Sequence, residues 1–291
     1  MSDPEKSPFP FVALLLGVVC IGSSPIFVRL AAVPGPVSAF WRVAIAGICL
    51  LVLSAARREG PPAKSIRWGV VLGGLFFAAD LALWNQSLLR VPVAICTPVG
   101  NSAPLWVGLG GWLIWKRRPS AAFWTGLVVS AAGIAVLARP WSAAARLDLV
   151  GLSMALAASV FYAGYILCTT RIRSRASTLS FMTLSTIVSG IALWLFCTAT
   201  GQVLTGFSSV TWMALAGLGL VSHLAGWMLI NYALGHLAPE LASITLLGQT
   251  VVAGLLAVPV LGELPDPVQL AGGVMVLVGI WWASRSRETG G

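Results

Sequence analysis

Charge-poor apolar segments, each about the 20 residues that carry a helix across a bilayer, follow one another along this chain with only short polar breaks. Ten can be marked, at 10–31, 36–56, 67–89, 92–115, 121–139, 148–170, 178–200, 211–234, 239–261 and 267–284. Only 9% of the 291 residues are charged, whereas a soluble domain carries roughly 25% to hydrate its surface. A chain this poor in charge cannot cover itself in water, and the ten segments leave no length over for a soluble domain. Strands of a membrane barrel would alternate polar and apolar side chains, and the run from Val43 to Ala56 shows no such alternation. The expected fold is an all-α membrane protein with ten transmembrane helices. The first segment is long for a signal peptide and lacks a small-x-small cleavage site, so it reads as a retained helix.

The placement of Lys and Arg gives the orientation, because short cytoplasmic loops hold the excess of positive charge. With the N-terminus cytoplasmic, the inside receives Lys6, Arg57, Arg58, Lys64, Arg67, Lys116, Arg117, Arg118, Arg171, Arg173, Arg175, Arg285 and Arg287. The outside receives Arg29, Arg90, Arg139 and Arg146, and Arg42 lies within a span. Both termini are therefore expected in the cytoplasm of a multi-pass protein of the cytoplasmic membrane. The same distribution explains the net charge of +9 without nucleic acid as a partner, since no basic patch with interleaved aromatics forms. Cys20, Cys49, Cys96, Cys168 and Cys197 lie in different apolar segments with no C-x-x-C or His/Cys cluster, which leaves a disulfide framework and a zinc site unsupported. No metal or cofactor is expected.

The chain repeats itself. Gly126 and Gly133 in the fifth span correspond to Gly272 and Gly279 in the tenth at one constant offset. The segment "DLALWNQSLLRVP" of the third span parallels "HLAGWMLINYALGHLAP" of the eighth. Residues 1–145 and 146–291 thus read as two five-helix units, and an odd number of spans per unit places them in opposite orientations. The charges agree: the turn at Lys116 to Arg118 is basic, and its counterpart at Glu263 to Asp266 is acidic. Inverted repeats are the architecture of alternating-access carriers, with the substrate at the repeat interface near mid-membrane. A channel is the alternative such symmetry leaves open.

The segments "GSSPIFVRLA", "AFWRVAIAG", "FYAGYILCTTR" and "VLGELPDPVQLAGGVMVLVGI" resemble the EamA-type family of the drug/metabolite transporter superfamily. The likeness covers essentially the whole chain. It implies two inverted five-helix repeats around a central cavity lined mainly by spans 1–4 and 6–9, and export of amino acids or other small metabolites. The first copy departs from the pattern, with Lys116-Arg117 where the family often has the Gly-Glu kept here as Gly262-Glu263.

Ionisable groups inside spans are the sharpest functional signals, because each costs roughly 2.5–3.5 kcal/mol at the helix centre on insertion scales. Three stand well inside: Arg42, Asp80 and His223. Asp80 and His223 occupy equivalent repeat positions, each followed four residues on by a tryptophan, Trp84 or Trp227, which a regular helix stacks on one face. Asn231 extends that stripe. Asp80 and His223 are expected to face one cavity as proton-coupling groups, with Asp80 also able to attract a substrate ammonium. The competing reading is a structural Asp80–Arg42 ion pair. Arg42 either snorkels to the interface or clamps a substrate carboxylate.

Asn101 and Gln249 are further repeat counterparts and candidate cavity amides. Tyr162 is a candidate lining residue, while Tyr165 is expected at the interface and Asn85 away from the site. Pro25, Pro98 and Pro104 are candidate hinges, since a proline frees a backbone carbonyl that only protein or cavity water can satisfy in a bilayer. No H-E-x-x-H, G-x-S-x-G or Walker A motif supports a membrane enzyme or a primary pump. The sequence therefore points to a secondary transporter whose partners are a small-molecule substrate and the lipid bilayer. It favours an amino acid or amine, leaves a drug or other organic cation as the alternative, and is compatible with a homodimer.

Overall fold

A computed structural model describes residues 9–116, 120–138, 148–172, 176–234 and 239–285. Lys6, Arg117, Arg118, Arg139, Arg146, Arg173, Arg175 and Arg287 lie outside them, as do the side chains of Arg171, Asn231 and Arg285. Every regular element among the described residues is helical. Six stretches are long and apolar enough to cross a membrane: Phe9–Ala31, Gly35–Ala56, Lys64–Leu88, Leu149–Cys168, Thr178–Ala199 and Ser209–Ile230. Shorter apolar helices occupy Ala121–Leu137, Gly248–Leu261 and Pro267–Ala283.

Three apolar segments are not single α-helices. The first divides into α1 (Phe9–Gly22) and α2 (Ser24–Ala31), with Pro25 in the first turn of α2. Proline suits a first turn because its missing N–H would have had no helical partner there. α3 (Gly35–Ala56) and α4 (Arg67–Leu88) follow. The fourth segment divides at Asn101 and Ser102 into α5 (Val93–Gly100) and α6 (Ala103–Trp115), with Pro98 inside α5 and Pro104 opening α6. After α7 (Ala121–Ala138), α8 (Leu149–Ile172) and α9 (Thr178–Ala199), α10 (Ser209–Gly217) continues through a π-helical stretch, Leu218–Ala225, into α11 (Gly226–Leu234). α12 (Pro239–Leu261) and α13 (Pro267–Arg285) complete the chain.

Side chains cap several starts. Ser177 and Ser208 accept from the amides of Ser180 and Thr211. Asp148, at the head of α8, accepts from Val150 and Gly151 and pairs with Arg90 at 2.6 Å. The Gly151 amide and then the Arg90 guanidinium hold its carboxyl below the ordinary aspartate range.

The helices pack in a pattern that persists when the two halves exchange roles. α3 meets α9, α5 meets α12, and α7 meets α13. The contact of α4 with α8 has its counterpart in α11 with α1, and that of α4 with α9 in α3 with the π stretch. The α7–α13 seam shows the exchange residue by residue. Gly126 lies against Gly279 and Gly133 against Gly272, an antiparallel register that the repeat offset maps onto itself. A Cβ on Gly133 would stand 2.8 Å from the Gly272 carbonyl oxygen and 2.8 Å from the Val276 amide nitrogen. The backbones touch because nothing larger than glycine stands between them.

The two ends of the bundle differ. At one end Ser177 donates to Glu59 Oε2 and Ser180 to the Gly60 carbonyl, bringing the 57–63 connection to the start of α9. At the other, Arg29, Arg90, Trp41 and Glu263 tie the 89–92, 200–208 and 262–266 connections to the helix ends, and Gln86 of α4 accepts from the Gly35 amide that opens α3.

Gly133→Leu should lower the melting temperature and the yield of folded protein in detergent, because overpacking typically costs about 1–3 kcal/mol even where neighbours can yield. Gly254→Ala, with nothing within 4 Å of its Cβ, should melt as the parent does.

Candidate functional site

A cavity of about 380 Å³ lies inside the bundle, within the roughly 300–1,000 Å³ usual for small-molecule sites. Its walls come from both halves. α2 supplies Ser24 and Pro25, α3 Arg42, and α4 Phe77, Asp80 and Trp84. The α5–α6 segment supplies Thr97, Gly100, Asn101 and Pro104; α8 supplies Tyr162 and Tyr165; α11 supplies Trp227; and α12 supplies Gln249. The cavity runs out to Ala176 and the exposed Thr178, at the 173–177 end.

The break at Ser23 and the break at Asn101 both abut this space. Ser23 Oγ turns back to the Cys20 carbonyl at 2.7 Å, and Ser24 Oγ accepts from Arg42 Nη1 at 3.1 Å. Arg42 is 4% exposed and its Nε has no hydrogen-bond partner, so the snorkelling expectation gives way to a guanidinium held inside. Neighbouring Trp41 turns away, donating to the Leu204 carbonyl at 2.9 Å. Asp80 faces the same cavity, and no ion pair joins it to Arg42. The two groups share a space and lie in each other's electrostatic field without a direct contact.

Asn101 and Gln249 meet. Gln249 Nε2 donates to Asn101 Oδ1 at 2.8 Å, and Asn101 Nδ2 donates to Thr250 Oγ1 at 2.8 Å. Repeat counterparts thus form an amide bridge between the halves at the cavity wall. The cavity also has an aromatic wall. Tyr165 stacks on Phe77 with centroids 4.8 Å apart and lies 6.2 Å from Tyr162, while Trp227 sits edge-on to Tyr162, Tyr165 and Phe77 at 6.2–6.5 Å. Tyr165 is 9% exposed and is not an interface residue, contrary to the sequence expectation. Aromatic rings in an apolar helix carry no signal that separates a cavity wall from a dry core, so Phe77 and Tyr165 were not legible.

His223 also departs from its expected place. It does not line the cavity. It is 1% exposed in the π-helical stretch, with Nε2 3.3 Å from Thr186 Oγ1 of α9, Nδ1 unpartnered and its ring 5.6 Å from Phe77. The i, i+4 rule that stacks Asp80 and Trp84 in regular α4 fails here, because i→i+5 turns rotate His223 off the face that Trp227 presents. Pro25 and Pro104 line the cavity, whereas Pro98 packs toward Gly273 of α13. Asn85 lies outside the cavity as expected, bonded to Ser38 Oγ at 2.9 Å between α3 and α4. Among the described residues no group of three or more His, Cys, Asp or Glu could hold a metal ion.

The model of the EamA-like transporter family matches the chain twice, over residues 9–139 and 149–285. The chain belongs to the EamA-like transporter family. It is accordingly a multi-pass membrane transporter and not an enzyme. It is 27% identical over 247 residues to the uncharacterized transporter YwfM of Bacillus subtilis, covering 82% of this chain and 81% of that one. It is 25% identical over 269 residues to the pseudopaline exporter CntI of Pseudomonas aeruginosa, covering 89% of each. A crystal structure 18% identical to this chain matches it over the whole of both with a TM-score of 0.61, which shows a common fold. In EamA-family terms, the cavity is enclosed by elements of both matched copies.

His223→Ala should lower thermal stability by about 1–3 kcal/mol, the usual loss when a buried polar group goes, while leaving any ligand-induced rise in melting temperature unchanged. A variant that melts normally but loses that rise would return His223 to the binding site.

Proposed function

We propose that this chain is a ten-span secondary transporter exporting a small zwitterion, an amino acid or a related amine, by alternating access between two inverted five-helix units. The observation that carries the reading is the coexistence of Asp80 and Arg42 in one cavity without an ion pair between them. Separated charges of opposite sign at membrane depth call for a ligand that brings the complementary pair. Asp80 takes the ammonium and Arg42 the carboxylate, the latter by the planar fork that suits it to two oxygens. The wall of Phe77, Tyr162, Tyr165 and Trp227 accommodates apolar bulk or the face of a cationic group. The Asn101–Gln249 bridge supplies neutral donors and acceptors and joins the halves.

Exchange-symmetric packing supports the inverted-unit reading, and the two family matches divide the chain near the expected boundary at 145/146. The breaks at Ser23 and at Asn101 are the hinges, set by Pro25 and Pro104. The excess of Lys and Arg makes the 173–177 end cytoplasmic, along with both termini. The cavity then faces the cytoplasm and loads from it, in keeping with export. The exporter named among the relatives supports that direction. Coupling is to protons through Asp80, which lines the cavity; His223, away from it, is not needed for binding.

Counterflow in proteoliposomes tests the reading, after a thermal-shift screen of amino acids, amines and organic cations selects the solute. Wild type should show saturable exchange. Asp80→Asn should reduce it about ten- to a hundredfold, the scale of losing a charge-assisted contact in a buried site, with the variant still folded in the membrane. Full exchange by Asp80→Asn would remove this carboxylate from the mechanism.

A further inference from the structure

The cavity stops short of the 262–266 end, and the groups beyond it are not arranged as an ordinary surface. Arg29, in the last turn of α2, pairs with Glu263 at 2.7 Å. The same Arg29 Nη2 donates to the Val91 carbonyl at 3.0 Å, and Glu263 Oε2 accepts from the Val93 amide at 2.7 Å. One ion pair thus holds three pieces of chain together: the end of α2, the 91–93 segment that leads into α5, and the turn after α12. Its side chains are only 25% and 21% exposed, so solvent screens the pair less than it would an open surface pair. α2 and α5 are also the short helices that begin or end at the two breaks beside the cavity, at Ser23 and Asn101.

We infer that Arg29, Glu263 and the 91–93 backbone form the latch that closes the cavity toward the 262–266 end. This inference rests on the transport reading above and deepens it by naming what sets the resting direction.

The sequence makes the latch one-sided. Under the repeat correspondence, the segment that ends the first span at Arg29 is matched by the one that ends at Arg171, and the Glu263 turn by Lys116-Arg117-Arg118. In the sequence, the pairing of an arginine with an acid therefore has an arginine and a basic turn as its counterpart. Opposite charges favour closure and like charges oppose it. The chain is built to rest closed at the 262–266 end, where the ion pair forms, with the cavity reaching Ala176 and Thr178 on the other side. Outward opening must break the pair, so its strength sets how often the carrier turns over. Arg29 and Glu263 are positioning residues here, since neither lines the cavity.

Thiol labelling reads the latch without knowledge of the substrate. The full chain has its five native cysteines replaced and a single cysteine introduced by Thr97→Cys, at a buried cavity position. It is then treated with a membrane-impermeant maleimide from the side of the 262–266 connection. Labelling should be slow in this background. Adding Glu263→Gln or Arg29→Gln should raise the rate about tenfold, as expected when an interaction that favours one state by one order of magnitude is removed. Arg29→Lys, which keeps a charge and donors for both Glu263 and Val91, should label near the background rate and with an unchanged melting temperature. Background-rate labelling in both glutamine variants overturns the latch, and so does Arg29→Lys labelling as fast as Arg29→Gln. If labelling responds as stated while no solute shows counterflow in the parent protein, the latch stands and the transported substrate class falls.

Discussion

A carboxylate and a guanidinium withdrawn from water each carry a desolvation cost of several kcal/mol, and an ion pair offsets it only where the two groups meet in good geometry. Asp80 and Arg42 do not meet, although they border the same space. That space is what makes their placement tolerable: a cavity that reaches the bundle end at Thr178 can admit water, and a ligand can replace that water. The other features of the site follow from keeping it open. The broken helices at Ser23 and Asn101 bring Ser24 and Asn101 to the cavity, and the amide bridge between Asn101 and Gln249 joins the two halves at its wall.

Symmetry and its violations divide the labour. Where the halves must stay together, counterparts meet directly, glycine on glycine between α7 and α13 and amide on amide between the α5–α6 break and α12. Where the halves must differ, counterparts part company. Asp80 faces the cavity, while His223, at the equivalent position, is packed against α9 and Phe77. The acid of the Glu263 turn has basic residues as its counterpart, so the two ends are not held shut by equal forces.

The sequence carried the fold class because hydrocarbon length and charge depletion leave few alternatives, and it carried the repeat because glycines at a close helix seam resist replacement. Pro25 and Pro104 disclosed the two breaks that abut the cavity, since a proline inside an apolar run has to be accommodated. Asp80 with Trp84, and Asn101 with Gln249, were legible for the same reason that they are costly: polar groups in spans need a reason to be there. The π-helical stretch was not. No residue type marks an i→i+5 turn, and without it the phase of the eighth span was wrong by enough to put His223 on the cavity face. Arg42 was ambiguous because its distance from the end of the span allowed a long side chain to reach either way. Its inward direction is fixed by Ser24, at the start of the preceding helix α2.

The central claim is that one ligand satisfies both Asp80 and Arg42. The direct measurement is binding to purified protein, by tryptophan fluorescence or calorimetry, of three matched compounds: the zwitterion selected by screening, its decarboxylated amine and its deaminated acid. The zwitterion should bind at least about tenfold more tightly than either analogue, and Arg42→Gln should erase its advantage over the amine. An amine or an acid that binds the parent protein as tightly as the zwitterion would contradict the account.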